Sequence, residues 1–200
     1  MPATIDYYFA PVSPWAYLGH QRFARMAADA GAAVRVLPVD LGQVFPVSGG
    51  LPLGKRAPQR QAYRLLELAR FSQWLNLPMN VQPAYFPVSG DDAGRLILAV
   101  DQADGSDTAM RFTGAAMAAV WAQQRNLADP ATLAELLSEC GLPAARLDAS
   151  RAPEAAAAYA RCTQQAIERS IFGSPTYVVD GEMFWGQDRL DFVQRKLQGA

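Results

Sequence analysis

Strand-forming residues gather at the two ends of this chain, and that distribution limits the folds open to it. Thr4 to Phe9 alternates Ile5, Tyr7 and Phe9 with polar or mixed positions, the pattern of a half-buried strand. Val34-Arg35-Val36-Leu37-Pro38-Val39 makes a second strand, which Pro38 pushes towards a sheet edge or its own end. Strand character returns only at Thr176-Tyr177-Val178-Val179 and Glu182-Met183-Phe184-Trp185, with the hairpin signal Asp180-Gly181 between them. Helical patterns fill the interval, at about 58–75, 91–103, 107–124, 130–140 and 153–170, and a last helix runs from about 189 to 197. Pro14, Pro58, Pro130 and Pro153 suit first-turn positions, where a missing N–H costs nothing, and Gly141 suits the end of a helix. The stretch from Gly42 to Pro58 is crowded with proline and glycine and is expected to be an irregular loop.

The order is therefore βαβ, a long helical block, then ββα. It matches an α/β thioredoxin-like fold interrupted by a large all-helical insertion. On that reading residues 1–45 and 171–200 form one discontinuous domain and 46–170 the insertion. With 200 residues, half of them hydrophobic, such a chain can bury a real core. Its 18% charged residues and net charge of −1 give no basic excess for nucleic acid. No apolar run approaches the ~20 residues of a membrane span, and no basic-then-apolar leader opens the chain. A cytoplasmic protein with neither nucleic acid nor membrane as partner is expected.

The chemistry-bearing residues are few. Cys140 and Cys162 are far apart and out of metal-ligand register, so both are expected as buried, inert thiols. His20, the only histidine, shares a helical face with Ala16, Phe23 and Ala27 and is expected to be packed or hydrogen-bonded. One histidine supports neither a Ser-His-Asp nor a Cys-His hydrolase, and no metal site is expected.

Ser13-Pro14 is more informative. Ser13 falls at the N-cap of the first helix, among orphan amides and the positive end of the dipole, where an anion such as a thiolate can be held. Thioredoxin-like folds begin a C-x-x-C pair there; this chain reads Ser13-Pro14-Trp15-Ala16. Both sulfur positions are gone, so the thiol must come from outside. Gly173-Ser174-Pro175-Thr176 stands where such folds place a cis-proline, which would free the backbone of Ser174 to pair with an extended thiol peptide.

Tyr8-Phe9-Ala10-Pro11-Val12-Ser13-Pro14-Trp15-Ala16-Tyr17-Leu18-Gly19, Ile171-Phe172-Gly173-Ser174-Pro175-Thr176 and the run from Asp180-Gly181-Glu182 through Trp185-Gly186-Gln187-Asp188-Arg189-Leu190 together resemble the 2-hydroxychromene-2-carboxylate isomerase family. That family is related to kappa-class glutathione transferases and to disulfide oxidases. The resemblance implies glutathione as cofactor, a homodimer, and a small aromatic substrate from naphthalene-type catabolism. It implies that 2-hydroxychromene-2-carboxylate and trans-o-hydroxybenzylidenepyruvate are interconverted by reversible thiolate addition. It gives Ser13 the catalytic, glutathione-activating role. Ser174, Pro175, Trp185, Gly186, Gln187 and Asp188 join Ser13 in binding glutathione, and Lys55, Arg56 and Tyr85 line the substrate pocket. Asp188 read alone is the N-cap of the last helix. Two positions depart from a well-known branch of the family: Phe45 stands where a lysine occurs, and Lys55-Arg56 where an Asn-Arg pair occurs. A kappa-like transferase or peroxidase and a redox-dead binding module are the alternative readings.

Overall fold

The computed structural model describes residues 3–199. Four strands, β1 (Thr4–Phe9), β2 (Ala33–Pro38), β3 (Thr176–Val179) and β4 (Glu182–Trp185), form one sheet in the order β2-β1-β3-β4. β1 and β2 run parallel, Tyr7 opposite Val36, joined by helix α1 (Pro14–Asp29). β3 runs antiparallel to β1, Tyr7 opposite Tyr177, and the Asp180-Gly181 hairpin adds β4. Both turn residues have positive φ, 49° and 80°, as the tight primed turns require. Pro38 does lie on an edge strand, where its missing donor faces no neighbour.

Between β2 and β3 come α2 (Leu41–Ser48), α3 (Pro58–Trp74), α4 (Asp91–Asp104), α5 (Ser106–Trp121), α6 (Pro130–Glu139), α7 (Ala145–Arg151) and α8 (Pro153–Glu168); α9 (Leu190–Leu197) follows the hairpin. The four first-turn prolines open α1, α3, α6 and α8 as expected. Gly141, at φ 70°, ends α6 with its amide on Ser138 and the next amide on Leu137.

Two helices overturn sequence expectations. Residues 41–48 are helical, not irregular, despite Pro46. Asp40 caps the start by accepting from the Gly42 amide at 2.7 Å, Val44 is fully buried, and Gly49 at φ 76° stops the last turn. A good cap, a buried anchor and a left-handed stop outweigh one lost hydrogen bond in so short a helix. α7 escaped notice because no side chain caps it. It is held from outside, by Arg146 paired with Asp104 of α4 at 2.8 and 2.9 Å.

The core is continuous from sheet to helices. Ile5, Tyr7 and Phe9 on one face of β1 meet Phe23 of α1, Tyr177 of β3, and Leu96, Phe112 and Trp121 of the helical block. Tyr7 is stacked between Phe9 at 4.5 Å and Tyr177 at 5.4 Å. On the opposite face Tyr8 packs with Val39, Cys162, Ala166 and Ile171. Near that face buried Asp6 pairs with Arg35 of β2 and with Arg169, just after α8, tying the first strand to the chain's return. This stiff platform fixes the two backbones that meet at its upper end, the start of α1 and the approach to β3.

Candidate functional site

Ser13 is the N-cap of α1, with φ −75° and ψ 123°. Its Oγ accepts from the Ala16 amide at 3.2 Å and donates to the Ser174 carbonyl at 3.3 Å. The Ser13 amide in turn donates to Ala10 O at 2.9 Å, closing the turn that aims α1 back at the sheet. Ser174–Pro175 is cis, and the Ser174 hydroxyl accepts from the Ala10 amide at 2.9 Å. Two segments more than 160 residues apart in sequence are therefore cross-linked by reciprocal hydrogen bonds. Ser13 and Ser174 are both buried, at 7% and 8% exposure. Among the described residues nothing accepts from the Ser174 amide, so this backbone keeps an unused donor.

The other residues expected around glutathione lie on the turn that leaves β4. Pro175 O accepts from the Gly186 amide at 2.9 Å, which binds this turn to the proline. Gly186 has φ 103°, a conformation open to glycine alone. Trp185 is half exposed and stands edge-on to Phe172, ring centroids 4.9 Å apart, above Gly173. Gln187 is buried against α1: a Cβ at Gly19 would lie 2.7 Å from that of Gln187. Gln187 Oε1 accepts from Arg22 at 3.4 Å, while its buried Nε2 has no partner among the described residues.

Asp188 departs from the expectation of an N-cap. It lies inside a short 3₁₀ turn, Gln187–Arg189, which separates β4 from α9; α9 has no side-chain cap, and Asp188 pairs with Arg189 at 2.6 Å. The extra turn moves the carboxylate out of reach of the α9 amides and leaves it exposed, where it can meet a cation from solution.

The residues expected to line the substrate pocket are less converged. Lys55 and Tyr85 are exposed. Arg56 is half-buried, lying 5.9 Å over the Phe45 ring with Nε donating to Leu51 O at 2.8 Å. Phe45 thus supports a cation rather than supplying one. Sequence reading missed a further basic residue, Arg64, wedged against Phe86 and Trp121. From Lys55 to Leu66 the chain has Lys55, Arg56, Arg60 and Arg64 and no acid, a one-signed run that was the available signal.

His20 is packed, as expected, with Nδ1 3.3 Å from Tyr7 Oη and Nε2 2.9 Å from Met110 O. Burial pushes its pKa down to about 4, so it is neutral at pH 7 and takes no proton from the site. Cys162 is buried and its thiol is pushed up to about 11 by desolvation. Cys140 is only partly buried, contrary to expectation, because it ends α6 at its C-cap; desolvation raises its pKa too. Neither is an activated thiol. Among the described residues no cluster of His, Cys, Asp or Glu could hold a metal, and no helix is long and apolar enough to cross a membrane.

A helix start capped by serine opposite a cis-proline, on a four-stranded mixed sheet, defines a thioredoxin-like fold whose two redox positions carry no sulfur. The model of the DSBA-like thioredoxin domain matches residues 4–198. A 2-hydroxychromene-2-carboxylate isomerase of Pseudomonas putida is 30% identical over 197 residues, covering 96% of this chain and 93% of the relative. Another, of Sphingobium xenophagum, is 29% identical over 199 residues, covering 98% and 99%. The solved structure of a 2-hydroxychromene-2-carboxylate isomerase superposes with a TM-score of 0.82 at 26% identity, over 98% of this chain and 94% of that one. The cytosolic disulfide reductase DsbM of Pseudomonas aeruginosa, solved with GSH, shares the fold at a TM-score of 0.70 and 18% identity, over 98% of this chain and 99% of that one. The chain belongs to the DSBA-like thioredoxin family and, within it, to the 2-hydroxychromene-2-carboxylate isomerase family.

Proposed function

We propose that this protein is a glutathione-dependent isomerase that interconverts 2-hydroxychromene-2-carboxylate and trans-o-hydroxybenzylidenepyruvate in aromatic catabolism. The observation that carries the reading is the Ser13 hydroxyl, fixed at the N-cap of α1 and 3.3 Å from the Ser174 carbonyl, with Ser13 and Ala16 at the two positions a redox pair would occupy. The residues present fit a bound thiol tripeptide. The free Ser174 amide suits its backbone, the unpartnered Gln187 Nε2 and half-exposed Trp185 suit its flank, and the exposed Asp188 carboxylate suits its γ-glutamyl ammonium.

Bound glutathione supplies a thiolate that adds reversibly to the β-carbon of the ring-opened enone, making its double bond rotatable. Ser13 acts as a hydrogen-bond donor to that sulfur, not as a nucleophile. It swaps its bond to the Ser174 carbonyl for one to an ionised acceptor, worth ~1.5–3 kcal/mol, while the helix terminus adds ~0.3–1 kcal/mol. No histidine base is then required, in keeping with the buried neutral His20. Lys55, Arg56 and Tyr85 provide charge and donors for the carbonyl oxygen that takes the negative charge when the double bond is opened by addition. We read residues 1–45 with 171–200 as the glutathione-binding part, 46–170 as the part that shapes the substrate pocket, and the working form as a cytoplasmic homodimer.

The test is a balance of thiols. Protein incubated with glutathione and the chromene should convert the substrate while free thiol stays constant. Stoichiometric loss of thiol would make it a kappa-like transferase, and absence of glutathione binding up to millimolar by calorimetry would make it a binding module.

A further inference from the structure

One half-buried cation, on the helix that packs against the first turn of α1, has no counter-ion among the described residues. Arg64, Leu68 and Phe71 recur at helical spacing and form the inner stripe of α3. Leu68 is fully buried, and Phe71 stands edge-on to Trp15, ring centroids 5.9 Å apart, in the first turn of α1 beside Ser13. Arg64 lies two turns back along the same stripe, ~10 Å at 1.5 Å per residue. Its guanidinium sits 5.3 Å from the Phe86 ring centroid and 5.8 Å from that of Trp121. The Phe86 segment returns to the site as well: a Cβ at Gly90 would touch Val12 and Pro11 at 3.4 and 3.5 Å.

Among the described residues no carboxylate pairs with Arg64 and no acceptor takes its N–H groups. Arg25, Arg60, Arg161 and Arg195 also lack partners, but they are exposed and solvated. Arg64 is partly withdrawn from water, and its charged neighbour is Arg56, of like sign; together these bring its pKa down to about 10, so it stays cationic at neutral pH. Taking a cation out of water without a counter-ion is costly. The ring contacts attract the guanidinium without taking its N–H groups, which leaves those donors for a planar anion.

We propose that Arg64 is the substrate's carboxylate anchor, taking it with two N–H bonds while Phe86 and Trp121 fix the guanidinium and border the aryl group. This rests on the isomerase reading and extends it to a residue outside the Lys55, Arg56 and Tyr85 set.

The experiment titrates trans-cinnamate and its uncharged twin cinnamamide into the wild-type protein, Arg64→Met and Arg64→Lys, in each case with glutathione present. The wild type should favour the acid at least tenfold; Arg64→Met should lose that preference, and Arg64→Lys should keep part of it. Arg64→Met should bind glutathione as the wild type does and melt no lower, since it removes an unbalanced charge. An acid preference that is absent from the wild type or survives in Arg64→Met overturns the anchor, as does a fall in Tm with loss of glutathione binding, which would make Arg64 structural. If the wild type shows the Arg64-dependent preference but leaves the chromene untouched, the anchor stands and the isomerase reading falls. If Arg64→Met turns over the chromene with unchanged kcat/KM, the reverse holds.

Discussion

Replacing Ser13 by alanine separates the two jobs of one hydroxyl. As an acceptor it caps α1 through the Ala16 amide at 3.2 Å, and as a donor it meets the Ser174 carbonyl at 3.3 Å. Losing the cap costs ~1 kcal/mol, and the long bond to Ser174 adds a fraction of that. The Tm should therefore fall by ~2–6 °C for a chain of this size. The functional cost is a difference of two bonds. Turning to a thiolate gains ~1.5–3 kcal/mol but forfeits a neutral bond of ~1 kcal/mol. A net gain of ~0.5–2 kcal/mol lowers the thiol pKa by ~0.4–1.5 at 1.36 kcal/mol per unit. The assay is ultraviolet titration of the thiolate of bound glutathione in both proteins. In Ser13→Ala the bound thiol should titrate higher by that amount, and turnover at neutral pH should fall about three- to thirtyfold. Above about pH 9 bulk alkali ionises the thiol without help, and the variant should approach the wild type. An identical titration in the two proteins, or an activity loss that does not change with pH, would refute the role given to Ser13.

Three further outcomes are expected. His20 is neutral in the fold with a pKa of about 4 against 6.5 when solvated; between these values the unfolded chain takes up a proton that the native one does not. Stability should thus be complete above pH 6.5 and decline by up to about 3 kcal/mol as pH falls to 4, and chemical denaturation of His20→Gln should lack that part of the slope. Gly19→Ala places a methyl 2.7 Å from the Gln187 Cβ, so it should cost ~1–3 kcal/mol in thermal melts and weaken glutathione binding by pushing the 185–188 turn off α1. Modification with a thiol reagent at neutral pH should be slow at Cys140 and slower at Cys162, both raised by burial, and should leave turnover unchanged; inactivation would bring a chain thiol into the mechanism.

The ends of the chain are legible because local chemistry and tertiary role agree there. Ser13-Pro14 is both a helix start and the centre of the candidate site, and Asp180-Gly181 adopts the positive φ its residues favour. Where context overrides propensity, reading fails. Pro46 and its glycine neighbours argue against α2, which exists because Val44 finds the core. α7 has no cap to announce it and depends on Asp104, a residue of another helix. Asp188 reads as a cap until a 3₁₀ turn intervenes. Arg64 looks like any solvated helix charge until the segment carrying Phe86 folds over it. A lone cation becomes informative only through its burial, and burial depends on residues far away in sequence.

The vacancy left by sulfur at the start of α1 also bears on durability. A reactive cysteine held by a protein can climb to sulfinic or sulfonic acid, after which the molecule is lost. With serine at position 13 and alanine at position 16, the atom most exposed to oxidants on the proposed reading departs with the glutathione each time it exchanges. Such a protein wears no faster than its scaffold. On the same reading its rate follows the reduced share of the surrounding glutathione pool, and the disulfide form, having no thiol to offer, can only occupy the site.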